Sequence, residues 1–392
     1  MAEDKKKLIF VITQPVVGGA QKYVFDLAKY FNQGGNYEVG VAIGGATDGY
    51  LFEALKKENI KTISVKNLAR NISIIGDLKT FFELIKIFKK EQPDIIHLNS
   101  SKVGVLGALA AFFYKLTTNN YKLKTIFTAH GWIFKEEMSS KMRFVAVFLA
   151  WLAAKFQDKI ICVSQDDFNK ALQNKIAPPK KLFTIYNAVS EGKILNKEKA
   201  RVEINKMIGM ELPHDAFVIT NLGRLYANKG LNYLIEAVTM VKKKLPEKEI
   251  LLVIFGDGPE REALQLLITK YQLLNTVFLV GDKPDVSQYL KAFDAMVLSS
   301  VKEGFPYAVL EAGVANIPVV ATDVGGIGEI IKDGETGILI EPKNIKALAE
   351  SILKVLSDNK FSQKISANLK KVITKDFNFE NLIEKTEWVY KV

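Results

Sequence analysis

Two carboxylates, Glu303 and Glu311, stand eight positions apart in the stretch EGFPYAVLEAGVANIPVVATDVGG. Pro306 reads as the start of a helix, which puts Glu303 and Gly304 on the preceding loop, at the rim of a cleft, and Glu311 one turn inside. A loop carboxylate accepts hydrogen bonds from hydroxyl groups. The first-turn N–H groups from Tyr307 to Leu310, including those of Val309 and Leu310, are expected, as free donors, to suit phosphate oxygens. A carboxylate one turn deeper accepts from a vicinal diol, as in a ribose. The spacing fits one extended ligand: a hydroxyl-rich group at Glu303, a diphosphate at the helix start, a ribose at Glu311. Taken singly, each glutamate also has a plain reading, one as a loop residue and one as a mid-helix surface residue.

Further upstream, NLGRLYANKGLNYLIEA places Arg224 and Lys229 five apart, just before Gly230 opens a helix. A guanidinium fork and a mobile ammonium at a helix N-terminus attract a pyrophosphate. Gly18 and Gly19 end the first strand before another helix, and Gly256 to Pro259 (GDGP) follow a third strand, with Pro259 as the first residue of the next helix. At such turns backbone can approach a ligand closely. No G-x-G-x-x-G pattern and no Walker loop occurs, so a nicotinamide cofactor is poorly supported.

The chain has three histidines. His97 (DIIHLNS) and His130 (TAHGWIF) both fall at strand ends that should line one cleft. His97 reads as structural, whereas Gly131 gives His130 a turn that presents its ring. His214 lies in the polar LPHDA and reads as exposed. No Cys, His and carboxylate residues converge with zinc-ligand spacing, so no metal is expected.

These residues must be positioned by a scaffold, and 392 residues is long for one core. Continuous Val/Ile/Leu strands alternate with amphipathic helices, then the alternation restarts at FVITNLG. That pattern predicts an α/β protein of two doubly wound, Rossmann-like parallel-sheet domains facing across a cleft. The expected boundaries are 1–187 and 188–375, with the helix at 376–392 packing back on the first domain. The lone cysteine, Cys162, sits in the apolar run KIICVS and reads as buried, which excludes an internal disulfide framework.

The net charge of +11 is uneven. Residues 1–187 hold 27 Lys+Arg against 16 Asp+Glu, while 188–392 hold 27 against 27. The basic half reads either as a solvated surface or as an attraction to an anionic membrane face or an acidic acceptor. Nucleic acid is not expected, because no basic stripe with interleaved aromatics appears. No signal peptide is visible, and no apolar stretch reaches the ~20 residues of a membrane span. The expected location is cytoplasmic, peripheral on the cytoplasmic face of the membrane if the basic half docks there. Residues 138–155, with Lys141, Arg143 and Lys155 around FVAVFLAWLAA, read as a buried helix or as that docking surface.

GGAQ (18–21), TAHGW (128–132), GRLYANKG (223–230), GDGP (256–259) and EGFPYAVLEAGVANIPVVATDVGGIGEII (303–331) together resemble the retaining nucleotide-sugar glycosyltransferases of family 4, with the GT-B fold, of the bacterial polysaccharide and glycolipid type. Glu303 with Glu311 matches that family's Glu-x7-Glu signature. YNAVS (186–190) departs from its usual N-G-V-D.

The resemblance implies catalytic roles for His130, Glu303, Arg224 and Lys229. It implies a donor site of Gly18, Gly19, Arg224, Lys229, Gly256, Glu303, Gly304, Phe305, Val309, Leu310 and Glu311. Lys229 and Arg224 would hold the diphosphate, Glu303 and His130 the transferred sugar, Glu311 the ribose. No cofactor and no metal is implied. The implied reaction moves a hexose or N-acetylhexosamine, with UDP favoured over GDP, to a glycan or lipid-linked acceptor whose binding residues are unknown. A sugar-nucleotide 2-epimerase of the same architecture and a non-catalytic nucleotide-sugar-binding protein are the competing readings.

Overall fold

A computed structural model of the chain describes residues 5–190 and 192–392. They form two compact units: one runs up to Tyr186 and takes back Ile383–Val392, the other is Asn187–Leu382.

The first unit alternates β1 (Lys6–Ile12), α1 (Gly19–Gln33), β2 (Tyr37–Gly44), α2 (Tyr50–Lys57), β3 (Lys61–Val65), α3 (Ile74–Glu91), β4 (Ile95–Leu98), α4 (Ser101–Thr118), β5 (Lys124–Ala129), α5 (Ser140–Lys155), β6 (Lys159–Cys162), α6 (Gln165–Gln173) and β7 (Leu182–Thr184). Its seven strands are ordered β3-β2-β1-β4-β5-β6-β7 and every pairing is parallel. The central strands are apolar along their length because helices cover both faces; Leu8, Phe10, Val11 and Ile96 are fully enclosed. Cys162 is buried at the end of β6, as expected, and burial pushes its thiol pKa up.

The second unit contains α7 (Lys197–Ile208), β8 (Phe217–Leu222), α8 (Leu231–Lys244), β9 (Ile250–Phe255), α9 (Arg261–Lys270), β10 (Val277–Gly281), β11 (Ala295–Leu298), α10 (Tyr307–Ala315), β12 (Val319–Thr322), α11 (Ile327–Ile330), β13 (Ile338–Ile340), α12 (Ile345–Ser357) and α13 (Asn359–Asp376). Its six parallel strands repeat the winding, β10-β9-β8-β11-β12-β13. Both sheets therefore reverse direction beside their first strand, the place where doubly wound sheets bind ligands. The last helix, α14 (Phe379–Lys391), delivers Ile383–Val392 to the first unit.

Two local expectations are corrected. Pro259 does not open α9; the helix begins at Arg261, after Glu260 at its N-cap. Residues 138–155 are not a buried helix. On α5 only Ala153 and Ala154 are buried, while Met142, Phe144, Val145, Phe148, Leu149 and Trp151 are exposed, Phe144 by 72%.

Candidate active site

Unit 2 brings most of its candidate residues to the reversal point between β8 and β11. Arg224 and Lys229 follow β8; Ser299, Ser300 and Glu303 follow β11. The two loops are stitched together: Val301 N–H donates to the Asn228 carbonyl at 2.9 Å, and Ser299 Oγ donates to the Lys229 carbonyl at 3.1 Å. Lys229 ends a short 3-10 turn (Ala227–Lys229), and Gly230 caps α8.

Glu303 is only 8% exposed, so it does not stand on a rim. Its Oε1 accepts from Lys229 Nζ and from Ser300 Oγ, each at 2.6 Å. The Ser300 carbonyl in turn accepts from Thr322 Oγ1 at 2.5 Å. A partly buried ion pair with a hydroxyl on the same oxygen is held far more firmly than an exposed pair. Ser300 is one residue that sequence reasoning missed. Its only signal is a hydroxyl three positions before Glu303, which acquires meaning once the loop folds the two together.

Arg224 lies over the Tyr226 ring, 4.7 Å from guanidinium carbon to centroid. Its Nε is shielded from solvent and has no hydrogen-bond partner among the described residues. Gly256, with φ +125, packs against this segment so closely that a β-carbon would fall 2.1 Å from the Gly223 carbonyl oxygen. The GDGP turn thus fixes the course of the Arg224 loop, and Leu225 N–H donates to the Asp257 carbonyl at 3.0 Å.

Gly304 accepts at its carbonyl from Gly326 N–H, 2.8 Å away. Phe305 is buried, its ring 5.2 Å from Phe377 and its carbonyl accepting from Asn187 Nδ2 at 2.7 Å. Pro306 is the N-cap of α10 and not its first residue. Val309 and Leu310 are buried, and Val309 N–H already donates to the Pro306 carbonyl at 3.3 Å, so the expectation of a free donor there is corrected. Glu311 sits in the second turn, partly buried.

Helix starts differ: α2, α9 and α11 lack a side-chain cap but carry an acidic residue in the first turn. Ser100, Ser139 and Ser164 cap α4, α5 and α6 through their side chains. Helices α1, α8 and α10 have no side-chain cap and no acidic residue in the first turn. Those three follow β1, β8 and β11, and no acidic side chain of their own first turn offsets the positive end of the helix dipole.

In unit 1, Gly18 is the N-cap of α1 and Gly19 its first residue. His130 follows β5, with Gly131 at φ +101 turning the chain away. His130 Nε2 meets Asn99 Oδ1 at 3.2 Å, and Asn99 Nδ2 donates to the His97 carbonyl at 2.9 Å. With its amide oriented this way, Asn99 accepts, so Nε2 carries the proton and Nδ1 keeps a lone pair. The ring also stands edge-on to Tyr23 at 4.9 Å. Burial holds the His130 pKa down to about 3, so the ring is neutral near pH 7. Asn99 is a second residue unremarked in the sequence.

His97 does not line a ligand site. It is fully buried, with Nδ1 on the Tyr390 hydroxyl and Nε2 on Thr128 Oγ1, both at 2.7 Å. Burial, and then the neighbouring His130, push its pKa to about 3. His214 is exposed. Among the described residues no group of three or more His, Cys, Asp or Glu is placed to hold a metal ion.

Comparison with known proteins assigns both halves. The model of Glycosyltransferase Family 4 matches residues 17–192 and that of Glycosyl transferases group 1 matches residues 205–372. The chain is 29% identical over 393 residues to the UDP-Gal:alpha-D-GlcNAc-diphosphoundecaprenol alpha-1,3-galactosyltransferase of Escherichia coli, covering 98% of this chain and 97% of the relative. It is 26% identical to the capsular polysaccharide biosynthesis glycosyltransferase CapM of Staphylococcus aureus, with 86% of each chain covered. Anabaena Alr3699/HepE, solved in complex with UDP-glucose, shares the fold at a TM-score of 0.83 and 23% identity, over 98% of this chain and 100% of that one. The fold is thus GT-B, and the epimerase reading is not favoured.

Proposed function

The chain belongs to the glycosyltransferases, residues 17–192 to Glycosyltransferase Family 4 and residues 205–372 to Glycosyl transferases group 1, and from this premise we propose a retaining transfer of a hexose or N-acetylhexosamine from a UDP-linked donor to a hydroxyl of a glycan or lipid-linked acceptor. The observation that carries this reading is the convergence of Arg224, Lys229, Ser300 and Glu303 where the second sheet reverses, beside the uncapped starts of α8 and α10. The names of the relatives support the donor and acceptor classes: one uses UDP-Gal and a diphosphoundecaprenol-linked sugar, and the HepE structure holds UDP-glucose.

The barrier in such a reaction is the separation of a sugar cation from a nucleotide diphosphate. Arg224, Lys229 and the helix starts oppose the growing negative charge on the leaving oxygens, work that preorganised dipoles and cations do well in a partly dry site. Glu303 takes the sugar hydroxyls and Glu311 the ribose. Gly18 and Gly19 offer backbone to the diphosphate. Neutral His130 contacts the sugar near its anomeric carbon. The acceptor oxygen bonds to that carbon from the face the leaving group vacates. The carbon–oxygen bond to the diphosphate breaks, and the acceptor's proton passes to the departing phosphate oxygen. Because Arg224 and Lys229 supply the positive charge, the reaction needs no metal, and EDTA should leave turnover unchanged.

We also read the first unit as a peripheral membrane surface on the cytoplasmic face. Its support is α5, which exposes Phe144, Phe148 and Trp151 and carries Lys141, Arg143 and Lys155 with no acidic residue. The start of α3 adds Ile74, Ile75 and Leu78, Ile74 being 87% exposed. Apolar groups flanked by cations suit an anionic interface. No helix of the described residues is long and apolar enough to cross a membrane.

The decisive experiment offers a panel of UDP- and GDP-sugars with polyprenyl-diphosphate-linked and soluble glycan acceptors. Products are read by mass spectrometry, and the anomeric coupling constant by NMR. An α-linked product from an α-linked donor is expected. An inverted product overturns retention; interconverted donor without any new glycoside, or no turnover at all, overturns the transferase assignment for this site.

A further inference from the structure

Lys229 already has an anionic partner before any donor arrives. Its Nζ lies 2.6 Å from Glu303 Oε1, with the side chains 23% and 9% exposed. Glu303 is held in that position from a second side by Ser300 Oγ, also 2.6 Å from Oε1. Resting on the donor-site reading above, we propose that Glu303 is the resident counter-ion of Lys229 and that loaded donor and spent nucleotide are distinguished by whether Glu303 is drawn off it.

The argument is electrostatic. A diphosphate approaching Lys229 meets a cation whose field Glu303 cancels, and it also meets the carboxylate itself. UDP alone brings nothing for Glu303 to bind, so the carboxylate stays on Lys229 and opposes the phosphates. A UDP-sugar brings hydroxyl donors to Glu303. Once they take over its lone pairs, the ammonium turns more of its three N–H groups to the diphosphate. Recognition of the sugar thereby strengthens the grip on the leaving group, and after transfer the returning carboxylate weakens the hold on UDP. The backbone assists this exchange. The Lys229 carbonyl is pinned by Ser299 Oγ, so only the flexible ammonium arm has to move.

Isothermal titration of UDP and of UDP-glucose into wild type, E303Q, K229M and the double variant tests the idea, with GDP titrated in parallel and far-UV circular dichroism checking each fold. Glutamine keeps the shape and an acceptor for Ser300 but removes the charge. E303Q should bind UDP about 3- to 5-fold more tightly than wild type, the effect of releasing a partly screened ion pair. The preference for UDP-glucose over UDP should shrink, and the gain should vanish in K229M/E303Q. If folded E303Q binds UDP no better than wild type, or if the gain persists without Lys229, the counter-ion role is wrong while the donor site stands. If wild type binds neither UDP nor GDP, the donor-site reading itself falls and the counter-ion role falls with it.

Discussion

Gly325 faces the carbonyl of Glu303 so closely that a β-carbon on it would sit 2.0 Å from that oxygen, and its φ of +59 is one that side chains rarely adopt. The turn after β12 is therefore the floor on which the Glu303–Gly304 loop rests, and Gly326 N–H completes it at the Gly304 carbonyl. Gly325→Ala must displace backbone, not a flexible side-chain tip. It should destabilise unit 2 by roughly 2 kcal/mol and lower kcat/KM by more than tenfold. Thermal melts and steady-state kinetics check this; a variant with wild-type melting and turnover would refute the packing argument.

Arg224 and Lys229 should each matter far more to chemistry than to folding. Replacing either with alanine is expected to lower kcat by about 10²–10³, the usual consequence of removing one preorganised donor to a developing anion. Arg224→Lys should restore little, because an ammonium cannot reproduce a fork stacked on the Tyr226 ring. Less than threefold loss in either alanine variant would remove that residue from the catalytic set.

Asn187 reaches the Glu303–Phe305 loop from the segment before α7, donating through Nδ2 to the Phe305 carbonyl at 2.7 Å in a site only 4% exposed. Asn187→Ala removes the Nδ2 donor from that carbonyl, at a cost of about 1 kcal/mol. The donor KM should rise severalfold while the product linkage is unchanged. An unaltered donor KM would mean the contact is incidental.

Acid should weaken unit 1 selectively. His97 and His130 have folded pKa values depressed to about 3, against an ordinary value near 6.5. The unfolded chain therefore binds more protons, and the stability these rings confer is complete above pH 6.5 and lost as pH falls from 6.5 toward 3. The slope approaches about 1.4 kcal/mol per pH unit for each histidine. All three tryptophans, Trp132, Trp151 and Trp388, belong to this unit, so tryptophan fluorescence during denaturant titration follows it alone. His97→Gln should show a shallower dependence below pH 6.5; an identical slope would exclude His97 as a source.

Vesicle binding separates the two readings of the basic half. Wild type should sediment with anionic vesicles at low salt and release as salt rises. Phe144→Ser with Phe148→Ser should abolish sedimentation and leave transfer to a soluble acceptor intact. Equal binding to neutral vesicles, or none to anionic ones, would return α5 to the status of a solvated face.

The two doubly wound sheets were legible in the sequence because strands covered on both faces carry unbroken Val, Ile and Leu runs, and the turn glycines mark where each strand stops. Spacing alone singles out Arg224, Lys229, Glu303 and Glu311 as candidates, and the structure brings Lys229 and Glu303 into contact. Their other partners are not legible in spacing. Ser300 and Asn187 act through contacts made only after β8, β11 and the segment at 187 come together. The same folding put Glu303 into an ion pair and not on an open rim. Helix α5 misleads for a different reason: FVAVFLAWLAA is apolar all round, so periodicity assigns it no outer face, and burial was the natural inference.

The Tyr390 hydroxyl on His97 has a further meaning for how the molecule is made. A ribosome delivers residues 383–392 only after translating the whole of unit 2, roughly 10–40 s after Tyr186 at ordinary elongation rates. During that interval the nascent first unit lacks the hydroxyl that satisfies a fully enclosed imidazole and the ring that covers Phe31 and Tyr37. The portion synthesised first is thus completed late, and a chain released before residue 383 would have its leading half left open to chaperones and proteases.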